Sequence, residues 1–419
     1  MITPTDYTTW ADHHPEVAEN FAAKPLPWPC QQITTDLAFC HQPTIVKGPD
    51  GALVTHGAEF GGTDTLLWRS IDGGLTWQQH ASAPLMAPPA PEGVTQISEA
   101  ALGVGATATG TLLIACRQFA GAGTGDIFRD PIHTDRTWII RSVDGGRTWQ
   151  NTGQLDPAPY DNIGGAKARI HRMCEGRLLY PINARPSARP GREVAEHEMR
   201  ERALLFESSD DGATWHRIAS LGEDTDESDL LELPSGRILA STRFQRRKLP
   251  EDPADLICPL FLDEEGRASL ERHGDIDPYE VGNHSVIKNT CILHSDDGGA
   301  TWSEPRLVTG WLQQTAGLVR LSDGTVVMPY GHKDEGHGQR FVLSYDEGET
   351  WSNAVFELNR FGMYAHSVAL DDDTIVTVTE TPRWHRPVRL HVLRWQVPPR
   401  NVVAERGFFR PRPVTPSST

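Results

Sequence analysis

The 419-residue sequence lacks several features that mark common functional classes. It contains no run of about 18 uncharged apolar residues, so no segment resembles a membrane-spanning helix. It contains no block of Lys and Arg, and its 39 basic residues are outnumbered by 56 acidic residues, which gives a net charge of −17. A chain with this charge lacks the basic surface that binds DNA or RNA. We therefore expect neither a membrane nor a nucleic acid as a partner.

Cysteine residues and metal-binding motifs are also scarce. The six cysteines lie far apart, with no CxxC pair and no histidine at zinc-finger spacing, which favours buried thiols over a disulfide framework or a metal site. They are Cys30, Cys40, Cys116, Cys174, Cys258 and Cys291. Neither an HExxH nor a DxDxDG motif occurs, and we expect no metal and no cofactor.

The first residues of the sequence do not resemble a secretory signal. Residues 1–7 have neither the basic start nor the apolar core that such a signal requires. The sequence as given therefore predicts a cytoplasmic protein, or a secreted one if a signal was removed from it.

What the sequence does contain is an internal repeat. The pattern Ser-x-Asp-x-Gly-x-Thr-Trp occurs five times, and so many matches at fixed positions exclude chance. The copies begin at Ser70, Ser142, Ser208, Ser295 and Ser344. Repeats of this kind, separated by loops of variable length, are typical of the blades of a β-propeller.

The residue types in this motif predict a structural turn. An Asp side chain can accept hydrogen bonds from backbone N–H groups two residues further on, and Gly adopts the positive φ of a tight turn. Apolar residues precede each copy, as Leu66 and Leu67 do in the first, and the Trp begins the next strand with a large surface to bury. We therefore interpret each copy as a hairpin corner held by its own Asp, rather than as a calcium or carbohydrate site.

A second unit, consisting of a strand, a Gly-containing turn and another strand, recurs six times between these turns. Six units predict an all-β fold, a six-bladed β-propeller with Asp-box turns, over residues 38–396 with an insertion at 244–285. Residues 1–37 form an N-terminal segment that we expect to close the last blade. Residues 397–419 are rich in Pro, Arg and Ser, and we expect a flexible tail.

This combination of units and boxes resembles the bacterial sialidases (exo-α-neuraminidases), a superfamily of Asp-box (BNR repeat) propellers. The similarity covers roughly residues 38–395, as judged from the repeated blade units. Two segments match the sialidase pattern in register, Glu227 to Arg243 and Tyr364 to Glu380. The resemblance implies that Tyr364 is the catalytic nucleophile, that Glu227 polarises it, and that Arg243 binds the carboxylate of the sugar.

The chemistry of these residue types agrees with those roles. A Tyr hydroxyl with its ordinary pKa near 10 is a poor nucleophile, so it needs a neighbouring carboxylate to take the proton. A neutral Tyr also avoids the repulsion that a second carboxylate would suffer from a sugar acid. The planar guanidinium of Arg suits the sugar carboxylate because it can form two parallel hydrogen bonds with it.

The sequence departs from the sialidase pattern at three positions. His41 stands where the resemblance implies the first of three carboxylate-binding arginines. The nearest candidates for the third are Arg340 and His337. The resemblance also implies an acid/base Asp in a loop of the first blade, where the sequence offers Asp64 or Glu59.

Histidines and basic residues near the predicted channel mouth keep an alternative open. Because His is the usual general acid/base near neutral pH, they favour a His-centred propeller enzyme, a rhamnosidase or polysaccharide lyase acting on uronate-containing glycans. The basic residues can bind an acidic sugar or be solvated. The histidines are His41, His56, His332 and His366, and the basic residues are Arg117, Lys167 and Arg169.

We therefore predict a sialidase-like glycosidase that removes sialic acid or a related acidic sugar from the ends of glycans by a retaining mechanism. Its expected partner is an acidic oligosaccharide or glycoconjugate. The predicted catalytic residues are Tyr364, Glu227 and Asp64, and the predicted substrate-binding residues are Arg243, His41, Arg340, His332 and His366. The alternatives are the His-centred enzyme and a non-catalytic glycan-binding propeller.

Overall fold

Nearly all of the regular secondary structure in the part of the chain that the structure describes is β-structure. This part contains 30 strands and one short helix, Arg400–Ala404. No helix in this part of the chain is long and apolar enough to cross a membrane. The computed structural model describes residues 24–38, 42–57, 64–121, 133–164, 168–186, 200–246, 287–309, 313–332, 338–360, 364–381 and 388–414.

Six sheets follow one another along the chain and form a six-bladed β-propeller, which confirms the predicted fold. Blade 1 contains Ile45–Lys47, Leu53–Gly57, Asp64–Ser70 and Gln78–Pro84, and blade 2 contains Gln96–Ala106, Leu112–Gly121, Thr134–Ser142 and Gln150–Gln154. In blade 3 two segments, Asn162–Ile163 and His171–Arg172, together form the first strand and are followed by Leu178–Arg185, Arg202–Ser208 and His216–Glu223. Blade 4 contains Thr225–Glu232, Ile238–Arg246, Ile287–Ser295 and Arg306–Leu307. In blade 5 two segments, Gln313–Gln314 and Val319–Arg320, together form the first strand and are followed by Val326–His332, Gly338–Ser344 and Phe356–Asn359. Blade 6 contains His366–Ala369, Ile375–Glu380 and Arg389–Trp395.

The core lies between the blades, because each blade is covered on both faces by its neighbours. Successive residues of a strand point to opposite faces, so the second strand of blade 2 serves two interfaces. Leu113 belongs to the buried cluster shared with blade 3, which includes Ile182, and Ile114 belongs to the cluster shared with blade 1, which includes Leu67. This explains why the inner strands are continuous apolar runs rather than alternating ones.

The five Asp boxes join the third and fourth strands of blades 1 to 5 through side-chain hydrogen bonds. In the first, Asp72 Oδ1 accepts from Ser70 Oγ at 2.8 Å and from the backbone N–H of Thr76 at 2.9 Å. Asp72 Oδ2 accepts from Thr76 Oγ1 at 2.5 Å. The Asp therefore holds the turn as predicted, although it reaches backbone N–H groups three and four residues further on instead of two.

The Trp that ends each Asp box is bonded in the same way in all five copies. Its indole N–H donates to the carbonyl of the Gly three residues before it, at 3.0–3.2 Å. Trp351 is completely buried, whereas the other four are half-buried. The prediction that each Trp buries a large surface is thus fulfilled only in blade 5, where Phe408–Phe409 pairs with Trp351–Ser352 and covers the ring.

Both ends of the described chain pack onto the propeller. The strand Gln31–Ala38 pairs antiparallel with Arg389–Trp395 and is the outermost strand of blade 6. Near the C-terminus, Phe408–Phe409 pairs with blade 5 and Arg412–Pro413 pairs with Arg306–Leu307 of blade 4. These pairings differ from the flexible tail expected from composition, and they arise because apolar residues such as Phe409 and Val403 find buried positions.

One face of the propeller collects the strand ends that carry the predicted site residues. Because neighbouring strands within a blade are antiparallel, the first strand begins, the second ends and the third begins at this face. The Asp boxes lie at the opposite face. Glu227 therefore comes to the site face from the start of a first strand, and Arg243 from the end of a second strand. The insertion predicted at 244–285 lies outside the described residues except for its first three positions, which end that second strand.

Candidate active site

Tyr364 and Glu227, which are 137 residues apart in sequence, meet at this face. Glu227 lies on the first strand of blade 4, and Tyr364 lies just before the first strand of blade 6. The Tyr364 hydroxyl donates a hydrogen bond to Glu227 Oε1, with 3.2 Å between the oxygens. Both residues are buried, with exposed fractions of 5% and 4%. The structure thus joins the predicted nucleophile to its predicted base.

Arg243 lies against the other oxygen of the same carboxylate. Its Nη1 is 2.9 Å from Glu227 Oε2, and its Nη2 contacts Asp226 Oδ2. Burial opposes the charge of the guanidinium, but Asp226 and Glu227 outweigh it and raise the pKa of Arg243. Arg243 is therefore a fixed cation beside the Tyr364–Glu227 pair, held by two acidic groups from the adjacent strand.

Residues of blade 5 hold both members of the pair. Thr315 Oγ1 donates to Glu227 Oε2 at 2.5 Å. Gln339 Nε2 donates to the backbone carbonyl of Tyr364 at 2.5 Å, and Asn359 Nδ2 donates to the amide oxygen of Gln339 at 2.9 Å. Thr315 has a φ of 57°, a left-handed backbone that is costly for a β-branched residue. Backbone strain of this kind is concentrated where a side chain is needed in one place.

A chain of buried charges runs from this centre across blades 3 and 2. Arg117 Nε and Nη2 each lie 2.6 Å from the carboxylate of Asp135, and Arg185 contacts the same carboxylate. Arg185 Nη1 also lies 3.3 Å from Glu201 Oε1. The backbone N–H of Asp224, just before the first strand of blade 4, donates to the carbonyl of Glu201 at 2.9 Å. Ion pairs thus connect blades 2 and 3, and this backbone hydrogen bond connects blade 3 to the segment of blade 4 that carries Asp226.

Two groups beside this chain have shifted pKa values. Burial, followed by the charge of Asp226, raises the pKa of Glu201 to about 7. Burial, followed by the charge of Arg243, lowers the pKa of Lys288 to about 8. Lys288 lies on the third strand of blade 4, where its backbone pairs with Gln245, two residues after Arg243. Perturbed pKa values cluster at functional sites, so both shifts mark this region.

A second ion pair occupies the axis of the propeller. Arg169 Nε and Nη2 bind the two oxygens of Asp229 at 2.8 and 2.7 Å, and His171 Nε2 lies 3.1 Å from Asp229 Oδ1. The guanidinium also donates to the carbonyl oxygens of Ser367 and Leu318, at 2.6 and 2.9 Å. Arg169 is therefore neither solvated nor available for an acidic sugar, as was considered from the sequence, but links blades 3, 4, 5 and 6.

Three other predicted binding residues lie on blades 5 and 6 and are buried. His366 begins the first strand of blade 6 and lies close enough to lower the pKa of Asp229, after Arg169 and His171. His332 ends the second strand of blade 5, opposite Gln313. Arg340, on the third strand of blade 5, is opposite Tyr330 and Glu357 in register. Their role in substrate binding stays a prediction.

Asp64 begins the third strand of blade 1, and third strands begin at the site face. It is exposed, and its Oδ2 accepts a hydrogen bond from Ser82 Oγ of the fourth strand at 3.1 Å. Its role as the acid/base stays a prediction. His41, Glu59, His337 and Lys167 lie outside the described residues.

Sequence reasoning missed several residues of the charged chain. Asp226 is adjacent to Glu227, and the acidic pair at 226–227 was a readable signal. Glu201, Asp135 and Arg185 carry no such signal, because the residues that they pair with are 16 or more positions away in the sequence. Among the described residues, no three His, Cys, Asp or Glu side chains are grouped so that they could hold a metal ion.

Comparison with known proteins supports the resemblance. No protein-family model matches the sequence. The chain is 26% identical to a sialidase from Micromonospora viridifaciens over 346 residues, which is 72% of this chain and 50% of that protein. The chain thus spans about half the length of this curated relative.

Solved structures agree at the level of the fold. A Dyadobacter fermentans protein of unknown function is similar with a TM-score of 0.58 and 18% identity, covering 88% of this chain and 98% of that one. A Hadza microbial sialidase is similar with a TM-score of 0.57 and 17% identity, covering 88% of this chain and 66% of that one. The resemblance predicted from the Asp boxes is confirmed: the chain is a homologue of a sialidase and has the six-bladed propeller fold of sialidases.

Proposed function

We propose that this protein is an exo-acting glycosidase that removes sialic acid or a related acidic sugar, with Tyr364 as nucleophile. The observation that carries the proposal is the hydrogen bond of 3.2 Å between the Tyr364 hydroxyl and Glu227, beside the fixed cation Arg243. The sequence relationship to a sialidase supports the substrate class.

The first step forms a bond between the Tyr364 oxygen and the anomeric carbon. Glu227 accepts the phenolic proton as the bond forms, and the bond from the anomeric carbon to the leaving-group oxygen breaks. The leaving group takes a proton from an acid at the mouth. In the second step water attacks the anomeric carbon and gives one proton to the ionised acid at the mouth, which restores that acid. The Tyr364 oxygen leaves and regains its proton from Glu227, and the sugar is released with retained configuration.

Arg243 serves this reaction in two ways. As a cation 2.9 Å from Glu227 Oε2 it holds that carboxylate in place beside the Tyr364 hydroxyl. It also supplies positive charge next to the position where an acidic sugar must place its carboxylate. Asp226 and Glu227 occupy two of its nitrogens, so its contribution to binding is chiefly electrostatic.

The test is a turnover assay with aryl sialoside, uronide and rhamnoside substrates on the wild-type chain and on Tyr364→Phe. We expect release from the sialoside alone, and a loss of at least about a thousandfold in kcat for Tyr364→Phe. Tyr330→Phe is the matched control, since that hydroxyl is buried away from Glu227 in the blade 5 core.

Three other outcomes would reject the proposal. A Tyr364→Phe protein with wild-type turnover excludes the nucleophile. Release of an unsaturated product from a uronate-containing polymer identifies the His-centred lyase instead. Binding of sialosides without turnover of any substrate identifies the non-catalytic propeller.

A further inference from the structure

Three buried amide side chains lie on blade 5 at the end that carries the site. Elsewhere the interface between blades 5 and 6 is apolar, since Val327 and Leu343 belong to one buried cluster with Trp395 of blade 6. Burying an amide costs free energy unless it is hydrogen-bonded, so amides in this place indicate a role other than packing. The three residues, with exposed fractions of 5% or less, are Gln314, Gln339 and Asn359.

The strand register puts Gln314 and Gln339 on the same face of blade 5. Both are opposite Gly331, Gln314 from the first strand and Gln339 from the third. Residues directly opposite each other in a sheet share a face, and Gly331 has no side chain to separate the two amides. The two amides differ in their hydrogen bonds. That of Gln314 forms none with the residues that the structure describes, whereas both ends of the Gln339 amide are bonded.

A β-bulge brings Asn359 onto this face as well. Gln339 is opposite Asn359. The next pair is Arg340 with Glu357, which leaves Leu358 as an extra residue in the outer strand. Leu358 belongs to the apolar cluster between blades 5 and 6, and Asn359 Nδ2 donates to Gln339 Oε1 at 2.9 Å. A regular strand would turn one of these two consecutive side chains away, so the bulge is what lets Asn359 bind the Gln339 amide.

The other end of the Gln339 amide holds the main chain at Tyr364. Tyr364 precedes the first strand of blade 6, whose pairing with the second strand begins at His366, so the Tyr364 carbonyl is outside that ladder. Gln339 Nε2 donates to this carbonyl at 2.5 Å. The following carbonyl, of Ala365, is packed so closely that a Cβ added to Gly317 would lie 2.5 Å from its oxygen. Blade 5 therefore fixes the backbone at two consecutive residues.

We propose that Gln339 is a positioning residue, whose hydrogen bond to the Tyr364 carbonyl sets the distance between the Tyr364 hydroxyl and Glu227. Asn359 acts with it by fixing the orientation of the Gln339 amide. This inference rests on the proposed function, because it assumes that Tyr364 is the nucleophile. A Tyr ring turns about only two side-chain torsions, so a shift of its backbone is carried to the hydroxyl, and a misplacement of about 1 Å can cost about a hundredfold in rate.

The first experiment measures kcat and KM for an aryl sialoside in Gln339→Met and in its matched control, Gln314→Met. Met fills a similar volume but cannot donate to the Tyr364 carbonyl. For Gln339→Met we expect kcat to fall about ten- to hundredfold while KM stays within about twofold. Gln314→Met makes the same replacement on the same face and removes an amide that has no partner among the described residues. It should keep the wild-type kcat and KM, with an equal or higher Tm.

A Gln339→Met protein whose kcat is unchanged, or whose KM rises as much as its kcat falls, would overturn the inference. Asn359→Leu is a second variant that leaves Gln339 in place, and it serves if Gln339→Met does not fold. It removes the contact that keeps the oxygen of the Gln339 amide away from the Tyr364 carbonyl, so kcat should fall in the same way. The double variant should be no slower than Gln339→Met, because both replacements act through one hydrogen bond. Multiplied losses would overturn the role of Asn359.

A second experiment does not depend on turnover. The 7 tyrosines are labelled with carbon-13 at the ring carbon that bears the hydroxyl, and Tyr364→Phe identifies the NMR signal of Tyr364. Gln339→Met should shift this signal, because the hydroxyl moves relative to Glu227, and Gln314→Met should leave it unchanged. An unshifted signal in Gln339→Met would overturn the inference. A chain whose signal shifts but which hydrolyses no sialoside would retain the control of the Tyr364 hydroxyl by Gln339 and reject the proposed function.

Discussion

Thr315 Oγ1 lies 2.5 Å from Glu227 Oε2, on the carboxylate oxygen that Tyr364 does not contact. The hydroxyl of Thr315 and the guanidinium of Arg243 share that oxygen, which leaves Oε1 to the phenol. Oε2 of Glu227 is thus held by Thr315 and Arg243, and Oε1 is the oxygen in position to accept the proton of Tyr364. The variants described below each remove one of these contacts or one contact that stabilises the propeller.

Replacing Glu227 by Gln should lower kcat strongly without changing KM by more than a few fold. The amide keeps the shape of the side chain but cannot take the proton of Tyr364, and general-base catalysis contributes about 10²–10⁴-fold. Steady-state kinetics with an aryl sialoside checks this. Glu232→Gln is the control on the same strand, because Glu232 is far from Tyr364 and accepts its hydrogen bond from the backbone of Cys174. Equal kcat values for Glu227→Gln and the wild type would remove the base from the mechanism.

Replacing Thr315 should separate stability from activity. Thr315→Gly removes the hydroxyl but relieves a φ of 57°, a strain of about 1–3 kcal/mol in a β-branched residue. We expect its Tm to equal or exceed that of the wild type, while kcat/KM falls about tenfold because a hydrogen bond to a charged group is lost. Thr315→Ser should retain activity. Thr315→Val should lose activity and have a lower Tm than the wild type. Activity assays and thermal unfolding together check the set, and a fully active Thr315→Gly would contradict it.

Breaking the axial ion pair should destabilise the whole propeller. Arg169→Met or Asp229→Asn leaves one buried group without its partner, at a cost of about 3–5 kcal/mol in the free energy of unfolding. The double variant should cost less than the sum of the two, because no unpaired charge remains. Chemical denaturation measures all three, and additive losses would show that the pair does not act as a unit.

The Arg169–Asp229 pair also predicts how the free energy of unfolding changes at low pH. Burial opposes ionisation of Asp229, but Arg169 and His171 outweigh it and lower the pKa of Asp229 below its ordinary value of 3.8. A lowered pKa contributes stability above the ordinary value that is lost as the pH falls below it. The wild type should therefore lose stability below pH 4 more steeply than Asp229→Asn, as followed by denaturation at each pH.

The fifth Asp box should be the most sensitive to loss of its Trp. Trp351 is completely buried under Phe408–Phe409, whereas Trp149 of blade 2 is half-buried. Trp351→Ala should reduce the free energy of unfolding by about 3–5 kcal/mol, and Trp149→Ala by clearly less. Deletion of residues 407–419 should bring the two variants closer together. Equal losses in the full-length chain would contradict the role of the C-terminal strand.

The parts of this molecule that can be predicted from sequence are those encoded by local patterns. An Asp box places its Ser, Asp, Gly, Thr and Trp within eight residues, so one turn is readable without the rest of the fold. The Tyr364 and Glu227 segments were readable for a similar reason, since each matches a continuous stretch. The sequence overestimates the burial of four of the five Trp side chains, because that burial depends on which other segment of the same chain covers each ring.

The remaining features depend on contacts between blades. Arg169 and Asp229 are 60 residues apart and pair only because the ring brings their strands to one axis. Glu201 has no recognisable motif, and its pKa is raised by burial and then by the charge of Asp226 on the next blade. Asp64 was chosen from its place in blade 1, but its hydrogen bond to Ser82 could not be read from spacing.

The contacts of the Arg169 guanidinium also bear on whether a ligand can pass through the centre of the propeller. It contacts carbonyl groups of three blades and a carboxylate of a fourth. The backbone nearby is also closely packed, because a Cβ added to Gly103 of blade 2 would lie 1.8 Å from the carbonyl oxygen of Ala168. Among the described residues, the contacts of Arg169 therefore join the blades across the centre of the ring. A centre filled in this way suits the exo-acting glycosidase proposed above, because such an enzyme needs only the end of a glycan and no passage through the ring.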